Sequence, residues 1–349
     1  MAFRKPITKG TLLKFSNDSG INGLQIHEVI SITRSCINYI VKGASETSNN
    51  EKYILREYYP FASKMDVTRD LSNRIIFNKD FSYKSDMLIE RFIQCNPITA
   101  MVSNDDIFTK AQTTRFYMYN GTIYSATCIS GFIPLEQLLL NTDSFSFQEI
   151  LHLFLLISFA IREYHQQGMI HLSLNPKCLF VSEKRDQVLV MDYDGAYSPL
   201  PNRNIDLLFP NVDIWVAPEI RTPLYKKKTF GFSADIFSLG AILYRALYGH
   251  FIEKKVEIYI TNPVEEIFDY FDYNTKFSSS LIISLKNLLK QSIAISQKNR
   301  FHSIEYFING LYEVIYIADS EFENENCTYK YSQFGRIALG YSQCLAEIY

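Results

Sequence analysis

The loop at residues 169–180 constrains the fold of this chain more than any other stretch. It follows the apolar run Ile150–Ile161, whose helix start is marked by the capping-box pattern Ser146-x-x-Glu149 and whose end is marked by Gly168. A helix this apolar is expected to be buried on most of its faces. Two short apolar patterns around a polar turn follow the loop and predict a small β-hairpin. The loop is therefore anchored at both ends by elements of the predicted core.

The chain divides into a strand-rich part and a helix-rich part. Apolar patterns between Leu24 and Leu55 predict three antiparallel strands, and helical spacing dominates after the break at Gly131–Pro134. We therefore predict an α+β fold of two lobes with a junction near residue 130. The predicted units are an N-terminal extension at 1–23, an N-lobe at 24–130, a C-lobe at 131–317 and a C-terminal tail at 318–349.

Local patterns predict further elements in both parts. Asn120-Gly121 is a favoured two-residue hairpin turn, and Met87–Ile93 has helical spacing. Residues 61–86 are polar and are predicted to be irregular. Helical spacing in the second part covers residues 234–248, 262–271, 280–290 and 303–317.

Short motifs stand in a fixed order along the chain. They are His171-Leu172-Ser173-Leu174-Asn175-Pro176-Lys177-Cys178, Asp192-Tyr193-Asp194, Ala217-Pro218-Glu219, Asp235-Ile236-Phe237-Ser238-Leu239-Gly240 and Arg300. In this order they resemble the catalytic loop, D-F-G, A-P-E, D-x-x-x-x-G helix and late Arg of protein kinases. The third strand, Ile54-Leu55-Arg56-Glu57-Tyr58-Tyr59-Pro60, is similar to the A-x-K-E-Y-Φ-P of bacterial serine/threonine kinases, where Φ is apolar.

The resemblance spans about Leu24 to Leu311 and implies a small β-rich N-lobe with a larger helical C-lobe. It implies structural roles for His171, Asp235 and an ion pair of Glu219 with Arg300. Removing one partner of a buried ion pair costs about 3–5 kcal/mol. The presence of both partners therefore predicts that the fold is retained.

The catalytic loop departs from the family at the positions that do the chemistry. Ser173 stands where the family has its catalytic Asp, Asn175 where it has a basic Lys, and Cys178 where it has a metal-binding Asn. A serine hydroxyl is too weak a base to accept the proton of a substrate hydroxyl. A soft sulfur is a poor ligand for magnesium. We therefore predict no catalytic residue in this loop.

The phosphate-binding positions depart as well. Ser31–Cys36 contains no glycine where the family has G-x-G-x-x-G, so side chains would project toward the phosphates. Arg56 replaces the third-strand Lys, and we interpret it as a structural cation. Spacing places Glu90 or Cys95 at the position of its helix partner.

Asp192 is the one chemical residue of the family that persists. Asp194 adds a second carboxylate, and Asp194-Gly195 is an alternative frame for the motif. No cofactor is expected, except that Arg56 and Asp192 could serve weak ATP binding, with Asp192 as the only metal ligand.

The resemblance and its departures together predict a pseudokinase, that is, a catalytically inactive kinase fold. Its expected role is that of a scaffold or regulator that binds an unidentified protein partner. The alternative is an atypical nucleotide-dependent transferase that uses Asp192.

Composition limits the partners and the location. A formal net charge of −2 gives no basic field for nucleic acid, and no apolar run reaches the roughly 20 residues of a membrane span. The six cysteines form no CxxC pair and are predicted to be reduced thiols rather than zinc ligands. We expect a cytoplasmic protein, or an effector delivered by a secretion system that needs no cleaved signal.

Overall fold

The computed structural model describes residues 4–15, 23–33, 35–43, 51–60, 67–95, 98–103, 112–113, 115–140, 146–192, 195–196, 214–221, 230–248 and 277–322. The predicted helix at 262–271, Asp194, and the tail after residue 322 lie outside these ranges.

The strands are β1 (Leu12–Leu13), β2 (Leu24–Ile32), β3 (Cys36–Gly43), β4 (Lys52–Tyr58), β5 (Val67–Arg69), β6 (Ile75–Phe77), β7 (Ile98–Ser103), β8 (Gln112–Thr113), β9 (Arg115–Tyr119), β10 (Thr122–Cys128), β11 (Phe132–Pro134), β12 (Leu179–Ser182) and β13 (Gln187–Val190). The helices are α1 (Lys79–Cys95), α2 (Leu135–Leu139), α3 (Phe147–Gln166), α4 (Pro218–Arg221), α5 (Ser233–Tyr248), α6 (Ser279–Ser292) and α7 (Ile304–Phe322).

The N-lobe is built on a six-stranded sheet in the order β1-β2-β3-β4-β10-β9. The three predicted strands form its centre, where β3 pairs antiparallel with both β2 and β4. Asn120 and Gly121 form the predicted turn between β9 and β10, with positive φ angles of 48° and 71°. Both angles are those that a type I′ hairpin turn requires.

Residues of the predicted N-terminal extension contribute to this lobe. Strand β1 pairs with β2, and Ile7 and Leu13 are buried in the core of the sheet. The expectation of an irregular stretch at 61–86 was wrong for its described part. Strands β5 and β6 form a hairpin there, and α1 begins at Lys79, well before the predicted start at Met87.

The C-lobe is helical around the buried α3. Ser146 and Glu149 form the predicted capping box at its start, and Gly168 follows its end with φ of 72°. A second sheet, in the order β11-β12-β13-β7-β8, contains the predicted hairpin after the loop. The last described helix, α7, continues to Phe322, past the predicted boundary at residue 317.

Helices α5 and α6 approach closely at Gly240. A Cβ atom at this position would lie 2.4 Å from the Cβ of Ser292, so the contact needs a residue without a side chain. The predicted two-lobed α+β architecture is confirmed. Within the described ranges, no helix combines the length and the apolar character needed to cross a membrane.

Candidate functional site

A cavity of about 240 Å³ lies between the two lobes. Its N-lobe wall is formed by the end of β2, the turn after it and the middle of β4. Its C-lobe wall is formed by the loop after α3 and by Asp192, which follows β13. The cavity therefore brings together Arg56, Asn175, Cys178 and Asp192 from distant parts of the sequence.

Asp235, near the start of α5, holds the loop after α3 in place. Its carboxylate accepts hydrogen bonds from the backbone N–H groups of His171 at 2.7 Å and Leu172 at 2.9 Å. His165 Nε2 lies 3.0 Å from the same carboxylate. Burial alone would raise the pKa of Asp235, but the hydrogen bonds and charge of His165 and His171 hold it below its usual value.

Two residues of the site have left-handed backbone conformations. Leu172 has φ of 61° and Asp192 has φ of 70°. Such a conformation costs a non-glycine residue about 1–2 kcal/mol, so surrounding bonds must hold it. Asp235 supplies them at Leu172, and the backbone carbonyl of Met191 accepts a hydrogen bond from His171 Nε2 at 2.9 Å. His171 therefore connects the loop to the residue just before Asp192.

The substituted residues of the loop bond to one another. The side-chain amide of Asn175 donates to the carbonyl of Ser173 at 2.7 Å, and its oxygen accepts from the N–H of Lys177 at 2.9 Å. The Cys178 thiol donates to the carbonyl of Asn175 at 3.0 Å. Burial raises the pKa of the Cys178 thiol, so the sulfur stays protonated at neutral pH. These side chains brace the loop from within.

Arg56 and Asp192 form an ion pair across the cavity. The guanidinium Nη2 lies 2.8 Å from a carboxylate oxygen, and both side chains are largely buried. The sequence identified both residues but not their contact, because they are 136 residues apart in the chain.

The helix neighbour of Arg56 is an aromatic residue. The Arg56 guanidinium lies 5.4 Å from the ring centroid of Phe92, which is 2% exposed and faces inward from α1. Glu90 is exposed on the same helix. The side chain of Cys95 is not described. Sequence spacing did not identify Phe92. The predicted helix began later than α1 does, so the sequence did not determine which residue of the helix faces Arg56.

Ser31, Ile32 and Thr33 line the N-lobe side of the cavity at the end of β2. Ser31 Oγ accepts a hydrogen bond from the side-chain amide of Asn38 at 3.0 Å. The hydroxyl of Thr33 accepts one from the N–H of Cys36 at 3.0 Å. Where the family uses bare glycine backbone, side-chain hydroxyls of this chain bond to its own strands.

A buried ion pair connects α4 to the segment between α6 and α7. Arg300 donates to both carboxylate oxygens of Glu219, at 2.8 and 2.7 Å. Burial alone would raise the pKa of Glu219, but the hydrogen bonds and charge of Arg300 hold it below its usual value. Both residues were identified from the sequence as a structural pair, and the structure places them together.

Apolar side chains fill the space beside the cavity. The cluster consists of Ile54, Ile129, Phe180, Leu189 and Met191, and each is 5% exposed or less. It joins β4 to the β12–β13 hairpin and so connects the two lobes directly.

A β-sheet lobe and a helical lobe, with a loop of the form H-x-x-L-x-P held between them, define a protein-kinase-like domain. A comparison with protein families matches residues 112–309, more than half of the chain, to the protein kinase domain. The chain belongs to the protein kinase family.

Two curated relatives match a shorter part of the chain. Over 136 residues it is 25% identical to the Citron Rho-interacting kinase of Mus musculus. The Citron rho-interacting kinase of Rattus norvegicus matches over the same length with the same identity. Each match covers 37% of this chain but only 6% of the relative, so most of either relative has no counterpart in the alignment.

Proposed function

We propose that this chain is a catalytically inactive member of the kinase family, a pseudokinase, and that it acts by binding a protein partner. The observation that carries the proposal is the 2.8 Å ion pair of Arg56 with Asp192. The family resemblance implies that these positions serve phosphate and magnesium. A magnesium ion and the guanidinium would compete for the same carboxylate, so metal binding would have to displace Arg56.

The catalytic loop supports the same conclusion. Ser173 is 2% exposed, and its backbone N–H donates to His171 Nδ1 at 3.3 Å. Neither Ser173 nor the bonded amide of Asn175 can accept a proton as a carboxylate does. General bases contribute about 10²–10⁴ in rate, so their loss leaves little phosphotransfer.

ATP and magnesium do not fit the residues present. Cys178 offers a buried, protonated sulfur in place of a hard oxygen ligand, and Asp192 is engaged by Arg56. The cavity of about 240 Å³ is smaller than the roughly 300–1,000 Å³ of usual ligand pockets.

The test is thermal unfolding with and without ATP and magnesium, together with radiolabel transfer from ATP to a generic substrate. We expect no thermal shift at millimolar nucleotide and no transfer. A nucleotide at 100 times its Kd would stabilise the chain by about 2.7 kcal/mol, which is easily measured.

Asp192→Asn and Asp86→Asn provide the matched comparison, because Asp86 is an exposed carboxylate on α1. A metal-dependent shift or transfer that Asp192→Asn abolishes and Asp86→Asn preserves would establish the alternative, a nucleotide-dependent transferase.

The partner is tested by affinity purification of the chain and of a truncated form. The truncation should end after Phe322, because Ser278 donates to the carboxylate of Glu321 and an earlier cut would damage α7. A partner that binds the full chain and is lost from the truncated form would place the docking site in residues 323–349. Failure to recover any stable partner would contradict a scaffold role.

The likeness of the third strand to bacterial kinases remains a prediction about origin.

A further inference from the structure

The side chain of Arg4 reaches Thr33, which lines the N-lobe side of the cavity. Its guanidinium donates to the backbone carbonyls of Thr33 and Tyr59. It also lies 5.9 Å from the ring centroid of Tyr59. Thr33 belongs to the β2–β3 turn and lines the cavity, whereas Tyr59 follows the end of β4. The Arg4 side chain thus connects the N-lobe wall of the cavity to the end of β4, the strand that carries Arg56.

The segment that carries Arg4 is itself anchored. Arg69 Nε donates to the carbonyl of Lys5 at 2.8 Å, and the N–H of Ile7 donates to the Tyr39 hydroxyl at 3.0 Å. Ile7 is 1% exposed. The backbone around Arg4 is therefore held independently of the turn.

Tyr39 and Arg69, which bond to the segment around Arg4, also bond to the buried carboxylate of Glu57. Glu57 is fully buried and accepts hydrogen bonds from the hydroxyls of Tyr39 at 2.8 Å and Tyr124 at 2.6 Å. Arg69 donates to both of its oxygens, at 2.9 and 2.5 Å. Charge-assisted bonds of this kind are about twice as strong as neutral ones, so the anchor is stiff.

The turn also has backbone hydrogen bonds of its own, which are neutral. The N–H of Thr33 donates to the carbonyl of Cys36 at 2.9 Å, and the N–H of Tyr59 donates to the carbonyl of Ser35 at 2.9 Å. The hydrogen bonds from Arg4 are charge-assisted, and they reach both Thr33 in the turn and Tyr59 after β4.

We propose that Arg4 is a latch that holds Thr33, at the N-lobe wall of the interlobe cavity, against Tyr59 at the end of β4, and that its release lets Thr33 move away and widens the cavity. The latch is a property of the fold. It does not depend on whether the cavity binds a nucleotide or the chain transfers phosphate.

The test compares Arg4→Ala with Lys5→Ala in the full chain. Both variants remove one positive charge, but the exposed Lys5 side chain is not the group that bonds to Arg69, which uses the Lys5 carbonyl. Thiol labelling is followed site by site with mass spectrometry. Cys36 and Cys178 are buried at the turn and in the cavity, and the partly exposed Cys128 is an internal reference.

Arg4→Ala should label Cys36 and Cys178 roughly tenfold faster than Lys5→Ala, because it removes hydrogen bonds to a charged group. Backbone amides of Thr33 and Tyr59 should exchange with deuterium faster by a similar factor, with amides of α3 unchanged. Equal labelling in the two variants would overturn the latch. Faster exchange at all sites, including α3, would also overturn it, because the effect would then be global unfolding.

Discussion

Leu172 shows how a single residue can hold a strained conformation. Its left-handed backbone places the N–H groups of His171 and Leu172 on one carboxylate, that of Asp235. Removing a carboxylate that pairs with buried donors costs the desolvation of each donor left behind. The loop after α3 is therefore fixed by a side chain 63 residues further along the chain.

Asp235→Ala is expected to lower the free energy of unfolding by about 3–5 kcal/mol, because it unpairs two backbone donors and releases Leu172. Asp235→Asn keeps one acceptor oxygen and should cost less. Urea unfolding followed by circular dichroism measures both.

Asp86→Asn is the control, since Asp86 is exposed and its loss should change stability by less than about 0.5 kcal/mol. An Asp235→Ala variant as stable as this control would refute the anchoring role.

Residue identities were predicted better than residue contacts. The sequence named His171, Asp235 and the Glu219–Arg300 pair, because each belongs to a motif of fixed spacing. It did not predict that Arg56 would bond to Asp192. It also gave no signal for Arg4, whose partners are backbone carbonyls that any residue could supply.

Among the contacts between secondary-structure elements, that between helices α5 and α6 depends on Gly240. Alanine is favoured over glycine inside helices by about 1 kcal/mol, which alone would make Gly240→Ala stabilising. The added methyl group would meet Ser292 Cβ at 2.4 Å, so the helices must separate. We expect a net loss of about 1–3 kcal/mol in unfolding free energy, measured by urea unfolding.

Gly310→Ala in α7 is the matched control. The gain in helix propensity is the same, but the new methyl group would meet the flexible end of Leu288 at 2.9 Å. Gly310→Ala should be close to neutral. If both variants gained stability equally, close approach would not be the reason for glycine at position 240.

Elements with strong periodicity were the ones predicted correctly. The capping box and apolar run located α3, and Asn120-Gly121 located the β9–β10 turn. The predicted helix was shorter than α1, because the first half of α1, Lys79–Asp86, contains few apolar residues and gives no helical period. Strand β7 was missed because it pairs with β13, and no local pattern reports a partner so far along the chain.

At the scale of the whole molecule, buried titratable groups make stability depend on pH. Glu219 and Asp235 have lowered pKa values, so their contribution is complete above the ordinary carboxyl pKa of about 4 and is lost as the pH falls below it. His152 affects the stability of the fold at a higher pH than these two carboxylates do. Burial within α3 lowers its pKa from 6.5 to about 4, so folding is opposed wherever the unfolded state holds the extra proton.

His152 predicts a specific pH profile for the whole chain. Between pH 6.5 and 4 the unfolded state binds the proton and the folded state does not, so stability should fall as the pH falls, by on the order of 2–3 kcal/mol. Urea midpoints between pH 7 and 4.5 measure this, and His152→Gln should flatten the decline because glutamine does not titrate. The exposed His302 offers the control, and His302→Gln should keep the parental slope. A His152→Gln profile parallel to that of the parent chain would show that another group drives the decline.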